Sequence, residues 1–150
     1  EFDYIVCDSP AGIEKGANLA LYFADDAFVV TNPEISSVRD SDRMLGILSS
    51  KSRRAERNEE PIKEYLLLTR YDSDRVKSGE MLGLDDVQEI LSLELLGIIP
   101  ESKSVLSASN AGIPVILNEK SEAGQAYADV VARYLGEKLP HGSPKIVLVY

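Results

Sequence analysis

The chain has a single cysteine, a single histidine, and no Gly-x-x-x-x-Gly-Lys-Ser/Thr run. One thiol, Cys7, cannot close an internal disulfide, and inside an apolar run it reads as a small buried hydrophobe. His141, between Pro140 and Gly142, has no second histidine or cysteine cluster with which to make a metal site. Without the glycine-rich run, the chain lacks the N–H cradle and lysine that hold nucleotide phosphates. No apolar stretch is long enough to span a bilayer. The start is acidic where a secretory leader would be basic and then apolar, so a cytoplasmic location is expected. An excess of base is missing too: Lys and Arg number 16 against 25 Asp and Glu, for a net charge of −9. That balance argues against broad electrostatic capture of nucleic acid. Basic residues gather once, at Lys51, Arg53, Arg54 and Arg57, where Glu56, Glu59 and Glu60 partly neutralise them, as on a solvated loop or helix end.

What is present fits one globular domain: 150 residues, 44% of them hydrophobic. Apolar strands alternate with amphipathic helices, which predicts an α/β fold with a doubly wound, mainly parallel sheet. Strands are expected at 2–8, 27–31, 65–69 and 95–99. Helices are expected at 14–24, after a cap at Ser36 or Ser37, at 84–91, near 105–108 and at 121–135. The second helix should turn Val38, Ser41, Leu45 and Leu48 inward, leaving Arg39, Asp40, Asp42 and Arg43 largely outside. Val87, Ile90 and Leu91 should face in from the third. Ala123, Tyr127, Val130, Val131 and Tyr134 should face in from the last, which Gly136 stops.

The first strand carries the chemistry. Phe2-Asp3-Tyr4-Ile5-Val6-Cys7 ends on Asp8 and breaks into Ser9-Pro10-Ala11-Gly12. A carboxylate at the end of a buried parallel strand stands in the crevice where open α/β sheets bind ligands, able to hold magnesium or its water beside a phosphate. Gly12 then lets backbone approach or swing on that phosphate, whereas the plainer reading is ordinary turn chemistry.

Several blocks raise the nucleotide reading. Asp8 to Glu14, Thr31-Asn32-Pro33-Glu34, Ser36 to Arg43, Leu68-Thr69-Arg70-Tyr71 and Gly97-Ile98-Ile99-Pro100-Glu101 resemble, in order, the MinD family of septum-site-determining ATPases. That family lies in the deviant Walker A group, which also includes the ParA partition proteins. The resemblance runs from Phe2 to about Lys138. It implies a P-loop NTPase type of sheet, incomplete because the N-terminal P-loop part is absent, with 1–138 as a C-terminal portion and 139–150 as a divergent tail. Glu1 in place of Met fits a piece that begins inside a domain.

The resemblance also implies roles. Asp8 would be catalytic and would bind magnesium through water, and Gly12 would be the hinge of a switch that senses the γ-phosphate. Thr69, Arg70, Pro100 and Glu101 would frame adenine, and Glu34 could reach ribose across a homodimer. Arg39, Asp40, Asp42 and Leu45 would receive MinC-like and MinE-like division regulators. ATP and magnesium belong to the parent protein, as does contact with the inner face of the membrane; without the phosphate loop, no useful ATP affinity is expected of this chain alone. The tail lacks the family's cationic amphipathic helix. Lys145 to Tyr150 instead resembles the family's opening strand and could fill a place parallel to Tyr4 to Cys7. The alternatives are a ParA-like partition ATPase and a non-catalytic interaction module.

Overall fold

The computed structural model describes residues 4–9 and 21–136. Gly12, His141, the tail from residue 139 and most of the helix expected at 14–24 lie outside them; residues 21–23 are helical. Strands β1 (Asp26–Thr31), β2 (Lys63–Tyr71) and β3 (Glu94–Pro100) form one parallel sheet in the order β1-β2-β3. Helices α1 (Ile35–Lys51), α2 (Arg53–Glu56), α3 (Ser73–Lys77), α4 (Leu84–Leu91), α5 (Lys103–Ala111) and α6 (Glu122–Tyr134) connect and follow them, with a 3-10 turn at Val115–Leu117.

β2 reads Tyr-Leu-Leu-Leu because both of its faces are covered. Leu66 and Leu68 pack with Val38 of α1 and with Val87 and Leu91 of α4. Leu67 packs on the other side with Phe28, Leu96, Ile99 and the α6 residues Ala123 and Val130. Helices therefore cover both faces, as a doubly wound sheet requires.

The β2–β3 ladder carries two irregularities that cancel. Leu66 pairs with Leu95 but Leu67 with Gly97, so β3 gains a residue; Leu68 pairs with Ile98 but Tyr71 with Pro100, so β2 gains one back. At the first bulge Leu96 and Gly97 both lie toward α6, where a Cβ on Gly97 would meet Val130 Cγ2 at 2.5 Å. Arg133 of α6 donates from Nη1 to the Leu96 carbonyl at 2.8 Å, satisfying an acceptor at the disturbed ladder. Burial lowers the Arg133 pKa, with Asp129 opposing that shift. At the N-terminal ends of the strands, Phe28, Tyr65 and Tyr134 stack edge to face, and the Tyr134 hydroxyl donates to Asp26 Oδ2 at 2.5 Å.

Four local expectations need correcting. Residues 4–7 are not a strand, and the only pairing in that stretch is a bridge at Asp8; the ladder that would hold a strand there is missing among the described residues. Cys7 is half-buried rather than buried, lying against the cluster of Leu21, Ala27, Met44, Leu48 and Ile62. α1 starts at Ile35 with Glu34 in the cap position, because the Glu34 carbonyl already accepts the Val38 N–H at 3.0 Å; its buried stripe includes Met44, with Leu45 only half-buried. Ile90 is exposed, since the short α4 buries a narrow stripe centred on Val87 and Leu91.

Gly124 of α6 lies where a Cβ would come within 2.6 Å of two backbone oxygens, Asn118 O and Val115 O. Gly124→Ala should therefore cost about 1–3 kcal/mol in urea unfolding. Gly46→Ala, at a helical position with nothing within 4 Å, should gain about 1 kcal/mol. A second expectation concerns pH. Burial, then the Asp26 hydrogen bond and charge, raise the Tyr134 pKa above its ordinary value. The folded state then keeps a proton that the unfolded state loses near pH 10, so this contribution to stability is full below about 10 and declines as pH rises toward the folded value. Tyr134→Phe should flatten the alkaline fall in thermal midpoint; an unaltered slope would remove Tyr134 as its source.

Candidate functional site

Three parallel strands end on one edge, and the sequence places polar residues at each end. β1 finishes at Thr31 and turns at Asn32-Pro33. β2 finishes at Thr69-Arg70-Tyr71, and β3 at Pro100, followed by Glu101. The Thr69 hydroxyl donates to Asn32 Oδ1 at 3.0 Å, tying the end of β2 to the turn after β1. Arg70 Nε donates to Glu101 Oε2 at 3.0 Å, and the Glu101 N–H donates to the Tyr71 carbonyl at 2.9 Å, tying β2 to β3.

Arg70 holds this position with a φ of 55°, a left-handed conformation that costs a side-chain-bearing residue roughly 1–2 kcal/mol. It sits at the second bulge, where β2 regains its residue. The bulge re-aims Arg70 toward Glu101. Their side chains are 66% and 47% exposed, so the pair contributes at most about 1 kcal/mol and serves mainly to orient two charged groups.

Glu34 is exposed at the start of α1, beside an open groove of about 540 Å³ lined by Pro33, Glu34, Met81, Leu82, Gly83 and Asp86 among others. Asp86 Oδ2 accepts the Gly83 N–H at 2.8 Å there, and Leu82 N–H donates to Pro33 O at 3.0 Å. Asp8 is exposed one residue past Cys7, which packs on the cluster containing Ala27 of β1. Ser9 is buried, and its hydroxyl has no partner among the described residues. No group of three or more His, Cys, Asp or Glu that could hold a metal occurs among the described residues.

The structure thus gathers Thr69, Arg70, Pro100 and Glu101 with Asn32. The sequence reading named Asn32 within the Thr31-Asn32-Pro33-Glu34 block but gave it no role; its place directly after an apolar strand was the available signal. On α1, Arg39, Asp40 and Asp42 are exposed, and Arg43 Nη1 lies 3.2 Å from Asp40 Oδ1. Leu45 is half-buried and packs toward Val38 and Met44, so it offers that surface only an edge. The two groups are close along the helix: at 1.5 Å per residue, Arg39 lies about 7 Å and Asp42 about 12 Å from Glu34.

No protein-family model matches the chain. Over 140 residues, 93% of the chain, it is 66% identical to the septum site-determining protein MinD of Escherichia coli K12 and covers 52% of that protein. The chain is homologous to MinD. It spans about half the length of the curated relatives it matches. Among solved structures, the MinC:MinD cell division protein complex of Aquifex aeolicus matches with a TM-score of 0.81 at 42% identity, over 93% of this chain and 54% of that one. MinD from Pyrococcus horikoshii, complexed with Mg-ADP, matches with a TM-score of 0.66 at 26% identity, over 87% of this chain and 51% of that one. Similarity to MinD thus holds in sequence and in fold across the same half. No helix among the described residues is long and apolar enough to cross a membrane.

Thr69→Val keeps the β-branched shape but removes the donor to Asn32 Oδ1. It should lower stability by about 0.5–1.5 kcal/mol in urea unfolding. No loss would mean that solvent replaces the bond and that the turn after β1 is not held by it.

Proposed function

We propose that this chain is the portion of a MinD-type cell-division ATPase that carries its switch carboxylate, base-side strand ends and partner helix. One observation carries the reading: 66% identity to MinD in a chain whose matched strand ends bring Asn32, Thr69, Arg70 and Glu101 together. The residues present fit part of a magnesium–ATP group. Exposed donors and acceptors at the ends of β2 and β3 suit an adenine and its ribose, and the exposed Asp8 carboxylate suits a metal-bound water. The phosphate cradle is not among the motifs of this sequence.

When bound, ATP and magnesium supply a transferable phosphoryl group and the charge that neutralises it. In this reading Asp8 holds and orients water at the metal, and Gly12, outside the described residues, is the hinge beside it. Thr69, Arg70, Pro100 and Glu101 border the base, and Glu34 reaches toward the ribose of a second subunit. The exposed alternation of Arg39, Asp40 and Asp42 selects a MinC-like regulator by charge register, with MinE-like proteins on the same helix. The parent protein dimerises and works at the inner face of the cell membrane.

The test is a chimera in which residues 1–138 replace the aligned half of E. coli MinD. It should hydrolyse ATP, and Asp8→Asn should reduce turnover by about 10²-fold or more with little change in unfolding midpoint, because an amide cannot carry the charge. Asp42→Ala should weaken capture of MinC by several-fold. Full turnover in a folded Asp8→Asn chimera would remove its catalytic role, and matched losses of MinC and ATP affinity in Asp42→Ala would move that residue into the nucleotide site.

A further inference from the structure

Between the Leu66–Leu95 and Tyr71–Pro100 pairs, β2 and β3 advance by the same number of residues. A ladder without bulges would therefore join the same ends. In it Leu67 would pair with Leu96, Arg70 with Ile99, and Arg70 would take the ordinary extended backbone. The observed ladder instead places an extra residue on β3 at Leu96–Gly97 and one on β2 before Tyr71, where Arg70 stands at a φ of 55°. Each bulge alone would misalign the strand ends by one residue, so the two exist together or not at all. The strain at Arg70 is thus set by whatever holds the first bulge, about 10 Å back along the strand.

The apolar pattern does not hold it. Leu95, Leu96, Ile98 and Ile99 are apolar on whichever side they lie, so burial alone leaves the register of this stretch open. Two contacts with α6 distinguish the bulged ladder. Val130 crosses where Gly97 has no Cβ, and Arg133 Nη1 donates to the Leu96 carbonyl at 2.8 Å. Arg133 is a costly residue to place there. Its Nε and Nη2 are buried with no hydrogen-bond partner among the described residues, so an apolar side chain of similar length would avoid a desolvation cost. Register is the best-attested use of a buried polar group that contributes little stability.

We propose that Arg133 is a positioning residue for the base-side edge: by holding the Leu96 carbonyl it selects the bulged ladder, and the compensating bulge turns Arg70 toward Glu101. It acts through the backbones of β3 and β2. The inference rests on the reading of Arg70 and Glu101 as neighbours of a nucleotide base.

The backbone arm of the test uses the full 150-residue chain without nucleotide. Carbon chemical shifts of Arg70 should show the left-handed conformation in the unaltered chain and the extended one in Arg133→Met. Arg133→Lys, whose ammonium can still donate to the Leu96 carbonyl, should restore the left-handed shifts. Gly97→Ala gives a second reading, because its Cβ would meet Val130 Cγ2 at 2.5 Å in the bulged ladder; it should make Arg70 extended as well. The catalytic arm uses the chimera with E. coli MinD. There Arg133→Met should raise KM for ATP about 5- to 10-fold, the loss of one charge-assisted contact, while kcat changes by less than about twofold; lysine should recover most of the loss. Gly124→Ala, which strains α6 near its other end, should lower the unfolding midpoint and leave the Arg70 shifts and KM as they were. A left-handed Arg70 in folded Arg133→Met and Gly97→Ala chains overturns the proposal. So does a lysine variant that behaves like the methionine one, or the same Arg70 change in Gly124→Ala, which would assign the effect to loosening of α6. An extended Arg70 with unaltered KM also overturns it, by detaching the bulge from the nucleotide edge. A chimera that hydrolyses no ATP at all would instead remove the ATPase reading, and the Arg70 shifts of the free chain would still decide whether Arg133 sets the bulge.

Discussion

Everything described here hangs on β2, which is paired in parallel along both edges. Leu66, Leu67 and Leu68 point alternately into two different helical layers, and all three are buried. A one-residue slip would exchange those layers and strand Leu67 among the partners of Leu66 and Leu68. Register in β2 is therefore fixed by burial on both faces at once. The polar residues at its C-terminal end inherit that accuracy, since Thr69 follows Leu68 with no intervening loop.

The two bulges show how the same accuracy reaches β3. The first makes room for α6, whose Val130 crosses β3 at Gly97 and whose Arg133 satisfies the Leu96 carbonyl. Left uncorrected, it would offset the ends of β2 and β3 by one residue, about 3.3 Å. The second bulge removes the offset at a cost in backbone strain at Arg70, and Glu101 then meets both the Tyr71 carbonyl and the Arg70 guanidinium. Strain at a strand end beside a candidate ligand edge is a familiar combination, because the surrounding ladder over-determines the residue that bears it.

This division also explains what could be read from the chain. The span 84–91 of α4 came out directly, since Val87 and Leu91 mark one face, although Ile90, expected beside them, is exposed. The core of β2 was legible from its leucines, but its ends were not: Lys63, Glu64 and Tyr71 join the strand only because neighbours pair with them. The bulge at Leu96 left no trace, as Leu-Leu-Gly-Ile-Ile is apolar whichever way each residue points. Tyr4 to Val6 failed for the opposite reason. Its composition is that of a doubly buried strand, but no strand forms over residues 4–7 and Tyr4, Ile5 and Val6 are exposed. The strand-end residues were singled out through the family resemblance, whereas the hydrogen bond that joins Thr69 to Asn32 could not be read, because side-chain bonds between segments 37 residues apart have no local signature.

α1 joins the polar turn after β1 to the exposed charged face of Arg39, Asp40 and Asp42. Its first residues follow the Asn32-Pro33 turn, which Thr69 holds, and its buried stripe of Val38, Met44 and Leu48 is clamped between two core clusters. A helix so held moves as a rigid body or not at all. The turn after β1 and the face that carries Arg39 and Asp42 therefore belong to one rigid unit.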